Sequence, residues 1–193
     1  MAIEFELKFT AEAAAQEAVF MAYPGDYHTY EMETTYYDAA DGALSDRHVT
    51  LRRRMENGLS VCTVKTPVSG YGRGEWECEC DDIHAAIDRL VALGASRELL
   101  LLTAAGVVPV CGAKFTRRAL TVEYEGAVLE LALDRGVLLG GGREIPLCEV
   151  EVELKSGQPE QAVAFAQALA EKFGLKPENK SKFRRALALA KGD

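Results

Sequence analysis

The segment Cys148-Glu149-Val150-Glu151-Val152-Glu153-Leu154 alternates apolar and acidic residues without a break. A period of two sends successive side chains to opposite faces of an extended chain, so this stretch reads as a strand with one oily face and one face of three carboxylates. The pattern recurs. Ile3, Phe5, Leu7 and Phe9 oppose Glu4, Glu6 and Lys8; Leu51, Arg53 and Met55 oppose Thr50, Arg52 and Arg54; Cys62 and Val64 oppose Thr63 and Lys65. Trp76, Cys78 and Cys80 oppose Glu75, Glu77 and Glu79, with Arg73 in register, and Leu129, Leu131 and Leu133 oppose Glu130, Ala132 and Asp134. Leu120 and Val122 oppose Thr121 and Glu123, but the preceding Arg117-Arg118 pair leaves its own parity open. Turn signals at Glu56-Asn57-Gly58, Glu125-Gly126 and Gly140-Gly141-Gly142 separate these runs, and successive strands joined by short turns make an antiparallel sheet.

Four segments carry helical signals instead. Thr10 is placed to cap Ala11 to about Tyr23, ahead of Pro24-Gly25. Asp81-Asp82 opens Ile83 to Leu93, Pro159 opens a helix ending near Phe173-Gly174, and Ser181 opens the basic segment Lys182 to Lys191. Glu98 to Ala105 is ambiguous. The fold class expected is α+β, a single domain over 1–193.

The 193 residues are 48% hydrophobic and 27% charged, which excludes wholesale disorder and a fibrous repeat. No apolar run approaches a membrane helix, and Met1-Ala2-Ile3-Glu4-Phe5-Glu6 lacks the basic and apolar regions of a secretory signal. Five cysteines without framework spacing fit reduced thiols and a cytoplasmic location. A net charge of −8 argues against general nucleic-acid or anionic-membrane binding.

An ordinary solvated face would scatter its charges singly. Here acids and bases are segregated by strand: Glu-x-Glu at Glu4, Glu-x-Glu-x-Glu at Glu75 and at Glu149, Arg-x-Arg at Arg52. Like charges two apart on one face repel unless a counter-ion lies between them. Carboxylate-rich strands side by side supply hard oxygens for Mg²⁺ or Mn²⁺, and Arg-x-Arg with Lys65 and Lys8 supplies forks for phosphate oxygens. If the sheet curls until this face is internal, the result is a charged channel for a metal-chelated polyphosphate.

These residues resemble the CYTH superfamily, the triphosphate tunnel metalloenzymes. Glu4-Phe5-Glu6-Leu7-Lys8 matches its Glu-x-Glu-x-Lys signature, and the partners follow in order: Thr35-Tyr36-Tyr37-Asp38 with Leu44, Leu51-Arg52-Arg53-Arg54, Thr63-Val64-Lys65, Arg73-Gly74-Glu75-Trp76-Glu77, Phe115-Thr116-Arg117, Leu131-Ala132-Leu133-Asp134, Glu149-Val150-Glu151-Val152-Glu153 and Asn179-Lys180-Ser181-Lys182. The resemblance implies an eight-stranded antiparallel β-tunnel, a closed barrel with a charged interior and helices outside. It implies Glu4, Glu6, Glu149 and Glu151 as metal-binding acids, and Lys8, Arg52, Arg54, Lys65, Arg117 and Lys182 as the phosphate clamp, with Lys8, Lys65, Arg52 and Arg54 also catalytic. Glu75, Glu77, Glu130, Asp134 and Glu153 match further tunnel acids, and alignment favours Arg117 over Arg118. Within the superfamily the chain is most similar to bacterial inorganic triphosphatases, which often carry a second, histidine-rich helical domain that these residues do not match. Metal-dependent hydrolysis of inorganic triphosphate is therefore the leading expectation. Thiamine-triphosphate hydrolysis, ATP cyclisation to cyclic AMP and non-catalytic polyphosphate or nucleotide binding are its rivals.

Other motifs carry less. Cys78-x-Cys80 with His84 lacks a second ligand pair for zinc. Gly70-Tyr71-Gly72-Arg73-Gly74 lacks the Lys-Ser/Thr of a P-loop and reads as a turn. His28 and His48 stand alone, and no Gly-x-Ser-x-Gly elbow is present.

Overall fold

The computed structural model describes residues 2–68 and 72–192, with the side chains of residues 2 and 3 left aside. Gly70 and Tyr71 of the glycine-rich stretch lie outside the described residues. In chain order the elements are β1 (Ala2–Glu4), β2 (Glu6–Thr10), α1 (Ala13–Ala22), β3 (His28–Asp38), α2 (Ala43–Asp46), β4 (Thr50–Glu56), β5 (Leu59–Pro67), β6 (Arg73–Glu79), α3 (Ile83–Ala92), α4 (Glu98–Leu102), β7 (Val108–Tyr124), β8 (Ala127–Gly140), β9 (Arg143–Ser156), α5 (Pro159–Phe173), β10 (Lys176–Pro177) and α6 (Lys182–Lys191).

The strands form one antiparallel sheet in the order β1-β6-β5-β4-β3-β7-β8-β9-β2-β10. Strands β1, at one end of that order, and β2, next to the last at the other, are one N-terminal run interrupted only at Phe5. Its first part pairs with β6, through Glu4 opposite Arg73. Its second pairs with β9, through Lys8 opposite Glu151, and the Phe5 carbonyl accepts from the Leu154 amide at 2.9 Å. Chain continuity across Phe5 thus brings the sheet round on itself. Counting β1 and β2 together, eight strands surround the interior, and the two-residue β10 lies outside β2. The β4–β5 connection is a two-residue hairpin with Asn57 at φ 49° and Gly58 at φ 87°, the left-handed pair that matches the strands' right-handed twist.

Two apolar clusters cover the outer face, as period-two alternation requires. One packs α1 and α5 through Val19, Phe165 and Leu169 on Leu129, Leu131, Leu133, Val150 and Val152. The other packs α3 and α4 through Ile83, Ile87, Leu90 and Leu99 on Leu51, Cys62 and Val64; Cys78 and Cys80 lie against it. Burying each such side chain stabilises by roughly 1.5–3 kcal/mol.

Helix α6 behaves differently from its siblings. Phe183 and Ala186 pack on Met32, Tyr36, Ala113, Phe115, Leu138 and Leu147. Leu147 has the parity of Glu149 and Glu151, so these residues belong to the inner face: one end of the interior is apolar, and α6 seals it. The helix comes close because β8 ends in Gly140, where an added Cβ would stand 2.4 Å from the Ala186 carbonyl oxygen.

Two local readings change. Thr10 does not cap α1: it belongs to β2, its hydroxyl lies 3.4 Å from the Lys176 carbonyl, and Glu12 takes the cap position without a side-chain hydrogen bond. The ambiguous segment is helical over Glu98–Leu102. Asp82 and Ser181 cap α3 and α6 through the His84 and Arg184 amides.

Gly140→Ala is expected to destabilise the protein by about 1–3 kcal/mol through overpacking against α6; urea unfolding with an unchanged m-value would show it.

Candidate functional site

The curled sheet encloses a cavity of about 910 Å³, which all the sequence-assigned residues line except Asp134 and Glu149. Those two are completely buried, beneath its wall. Strand register builds the wall. Strand β9 turns Glu149, Glu151 and Glu153 inward; β8 sets Asp134, Ala132 and Glu130 opposite them; β2 sets Thr10, Lys8 and Glu6 on the other side. Strand β7 places Arg117 opposite Asp134.

Around this acidic rung one group forms. Arg117 grips Asp134 with two hydrogen bonds of 2.7 Å and also donates to Glu151. Lys182, the first residue of α6, reaches Glu149, Glu151 and Asp134 at 2.5, 2.6 and 2.9 Å. Arg185, one turn on, donates to Glu149 and lies 3.7 Å from Glu178. Arg118 takes the opposite parity, stacking over Phe20 at 4.1 Å and pairing with Glu17 outside. The arginine parity that sequence leaves open is thereby resolved in favour of Arg117.

A second group forms at β1, β4, β5 and β6. Lys65 contacts Glu4 at 2.5 Å and Glu75 at 3.2 Å. Arg52 lies 3.7 Å from Glu75 and 3.6 Å from Glu77, and Thr63 donates to Glu77. Arg73 crosses to the His48 and Lys65 carbonyls. Lys8 pairs with Glu6 at 3.1 Å, and Lys155 spans Glu153 and Glu130. Glu4 and Glu6 therefore stand apart from Glu149 and Glu151 in their contacts, each bound to a lysine.

Between the groups lies Arg54. Its Nε donates to Thr34 at 2.9 Å, and Glu56 is its carboxylate partner at 3.7 Å. The Phe115 ring faces Arg54, Arg117 and Lys182, with their cationic centres 5.3–6.0 Å from its centroid, a cation–π arrangement.

Titration behaviour follows these contacts. Burial, reinforced by the Arg52 charge, pushes Arg54 down to about 10. Burial opposes charge on Arg52 and Arg117 too, but Tyr36 with Glu75 and Glu77 outweighs it at the first and Asp134 with Glu151 at the second, raising both. Burial likewise works against Lys182, and Asp134, Glu151 and Glu149 overcome it, raising the ammonium above the ordinary lysine range. Burial and the Glu151 charge raise Glu149 despite Lys182, whereas Glu151 is held well below the carboxylate range because Lys182 and Arg117 prevail over its burial.

Sequence reasoning missed two members. Arg185 is three residues from Lys182, hence on the same helix face, a signal that could have placed it. Gln16 gave no such signal. It is completely buried on α1, outside the sheet, and donates to the Asp134 and Glu149 carbonyls, both at 2.9 Å, while Arg135 holds its oxygen at 3.0 Å. Gln16 thus fastens together, from behind, the two strands that carry the acidic rung.

One ligand oxygen each from Asp134, Glu149 and Glu151 lies within 4.8 Å of the others. Three hard carboxylates with no thiolate or imidazole fit a hard divalent ion such as Mg²⁺ or Mn²⁺. Glu149 Oε2 is buried without a hydrogen bond, although the Lys182 ammonium is close.

A curled antiparallel sheet with an interior of interleaved acids and bases makes a charged tunnel. The chain belongs to the CYTH domain family, which it matches over residues 2–187. It is 30% identical over 139 residues to an inorganic triphosphatase of Haemophilus influenzae, covering 70% of this chain and 39% of that protein; the chain therefore spans well under half of that relative. Among solved structures it is similar to HpAC1 from Hippeastrum, a proposed adenylyl cyclase described as revealing a dominant triphosphatase activity (TM-score 0.64, 21% identity, 100% and 96% of the two chains). It is also similar to PH1819 of Pyrococcus horikoshii (TM-score 0.63, 24% identity, 97% and 99%). Among the described residues no helix is long and apolar enough to cross a membrane.

Two outcomes are expected. Gln16→Met removes both hydrogen bonds to the Asp134 and Glu149 carbonyls and strands the Arg135 donor, costing roughly 1–3 kcal/mol in urea unfolding. The Glu151 carboxyl is lowered on folding, so its stabilisation is present above pH 4.5, its ordinary value, and is lost as pH falls through the lowered one. Melting curves of Glu151→Gln should accordingly show a shallower fall in Tm below pH 4.5 than the parent protein.

Proposed function

We propose that the protein hydrolyses the terminal phosphoanhydride of inorganic triphosphate with a divalent ion, Mg²⁺ or Mn²⁺. The observation that carries this reading is the Arg52–Arg54 pair. Both guanidiniums are buried on the inner face of β4; among the described residues Arg52 Nε has no hydrogen-bond partner, and Arg54 has no carboxylate closer than Glu56 at 3.7 Å. Cations held out of water with donors unused await an anion, and planar forks suit phosphate oxygens. The likeness to an inorganic triphosphatase supports the same substrate class.

In this reading Arg52, Arg54 and Lys65 bind the phosphate chain along one wall, and Lys8, Arg117 and Lys182 meet it from the other. Water attacks the terminal phosphorus, the bridging P–O bond breaks, and orthophosphate and pyrophosphate leave. Such transfer depends on positioning and on neutralising charge, which the clamp does for the equatorial and leaving-group oxygens. Asp134, Glu149 and Glu151 would hold the metal, and Glu4 and Glu6, which the family resemblance adds, form the second acidic group. When bound, the ion supplies Lewis-acid charge to phosphate oxygens. Tunnel acids Glu75 and Glu77 orient Arg52, and Glu130 and Glu153 anchor Lys155. A second reading, an organic triphosphate such as thiamine triphosphate or ATP, is favoured by Tyr30, Met32 and Leu187 on the cavity wall, where an aromatic group could stack. A cytoplasmic location is part of the same proposal.

A phosphate-release panel of inorganic triphosphate, thiamine triphosphate, ATP and pyrophosphate, each with Mg²⁺, Mn²⁺ or chelator, is expected to show metal-dependent turnover highest on inorganic triphosphate. Release from none of them would overturn the reading. Arg52→Ala and Arg54→Ala should each lose ~2–4 kcal/mol of transition-state stabilisation, very roughly a hundredfold in kcat/KM. Arg53 donates outward to the Asp81 carbonyl, and Arg53→Ala should stay near the parent rate.

A further inference from the structure

The Lys182 ammonium touches one oxygen from each of the three carboxylates: Glu149 Oε2, Glu151 Oε1 and Asp134 Oδ2. It stands where those oxygens converge. Their remaining oxygens are held by arginines, Asp134 and Glu151 by Arg117 and Glu149 by Arg185. Three carboxylates thus face three cations, and the buried cluster is formally neutral. Within it the Glu149 Oε2–Lys182 contact, at 2.5 Å, is the shortest of the three.

We infer that Lys182 is a tethered stand-in for the divalent ion, occupying its place among Asp134, Glu149 and Glu151 until the metal arrives and then transferring to the phosphate chain. The inference rests on the metal-and-triphosphate reading and adds an order of events to it. A divalent ion entering beside the ammonium would leave a large positive excess in a buried cluster, which desolvation penalises. The ammonium must therefore leave, and it too needs an anion. A triphosphate in the adjoining cavity, which Lys182 also lines, provides one. Metal and triphosphate then bind better together than either does alone, a reciprocal coupling. The residue type suits the exchange. A lysine is a compact charge on a flexible four-carbon stem, where an arginine fork would be fixed to its partners. The helix itself need not move, because Phe183 and Ala186 are packed into the apolar end of the interior.

The test is titration of Mn²⁺ into the metal-free protein, followed by loss of the free-ion electron paramagnetic resonance signal, for the parent, Lys182→Met, Lys182→Gln and Arg185→Met. Melting curves accompany it. Both Lys182 variants are expected to bind Mn²⁺ alone about tenfold more tightly than the parent, with Arg185→Met, which removes an equal charge from the cluster's edge, changing less. In chelator, both should bind a bis-imido analogue of triphosphate about tenfold more weakly. With the analogue present, the parent's Mn²⁺ affinity should rise, and that rise should shrink in the Lys182 variants. Equal Mn²⁺ affinity in the parent and both Lys182 variants, or equal tightening in Arg185→Met, would overturn the stand-in role while leaving the metal reading in place. Absence of Mn²⁺ binding in every protein, with and without the analogue, would overturn the metal-dependent reading itself.

Discussion

A charge taken out of water must meet an opposite charge or a hydrogen-bonding partner, and that requirement governs the interior of this sheet. A period-two strand cannot satisfy it alone, because residues two apart on β9 or β4 carry the same sign. Neighbouring elements must therefore bring the opposite sign within reach, and where β8–β9 sets Asp134 against Glu149 the compensation comes from β7 and α6. Lys8 lies opposite Glu151, Arg117 opposite Asp134 and Lys65 opposite Glu75. A slip of one residue in any of these ladders would turn the whole set toward the helices, so the ion pairs and the outer core select the same register.

The two faces divide the physical work. Leucines and valines on the outer face, covered by α1, α3 and α5, supply the hydrophobic stabilisation that a charged interior does not. Inner ion pairs add little net stability once desolvation is counted. What they supply is preorganisation: cations and acids held at fixed positions by ladder geometry. Helix α6 joins the two regimes. Its Phe183 is anchored in the apolar end of the interior, and one residue earlier Lys182 enters the acidic rung.

How much of this is legible in sequence depends on how cleanly polarity segregates. In β4 and β9 like charges gather on one face, so alternation puts Arg52 with Arg54 and Glu149 with Glu151, and the family resemblance adds that this face is the inner one. In β7 the inner face changes character along its length, from Ala113 and Phe115 near α6 to Arg117 at the rung, so alternation carries no signal at Arg117-Arg118. The sealing role of α6 is illegible for the same reason: Leu138, Leu147 and Phe115 look like outer-core residues until the parity of their strands is known. Gln16 is hidden more deeply, since its role arises from two carbonyls over a hundred residues away. Asp134 is visible as an acid, and its burial with Glu149 follows only from the β8–β9 register. The separation of Glu4 from the rung follows from the interruption at Phe5, and that of Glu6 from its register opposite Glu153, neither of which local spacing reveals.

The interior is also electrically lopsided. On the β8–β9 side every carboxylate of the rung has a cation, and the cluster is neutral without a ligand. On the β4 side Arg54 is buried with a single distant carboxylate, and its acidity is raised by burial and by Arg52. A small cation offered to such a cavity finds its oxygens already engaged, whereas a polyanion finds unused donors at once. In the proposed reading a polyanion relieves the Arg52–Arg54 repulsion, and it is also the negative charge to which Lys182 transfers when the metal takes its place. The asymmetry between the two walls thus couples the two proposed ligands: the anion answers an uncompensated charge on one wall and accepts the ammonium that the metal displaces from the other.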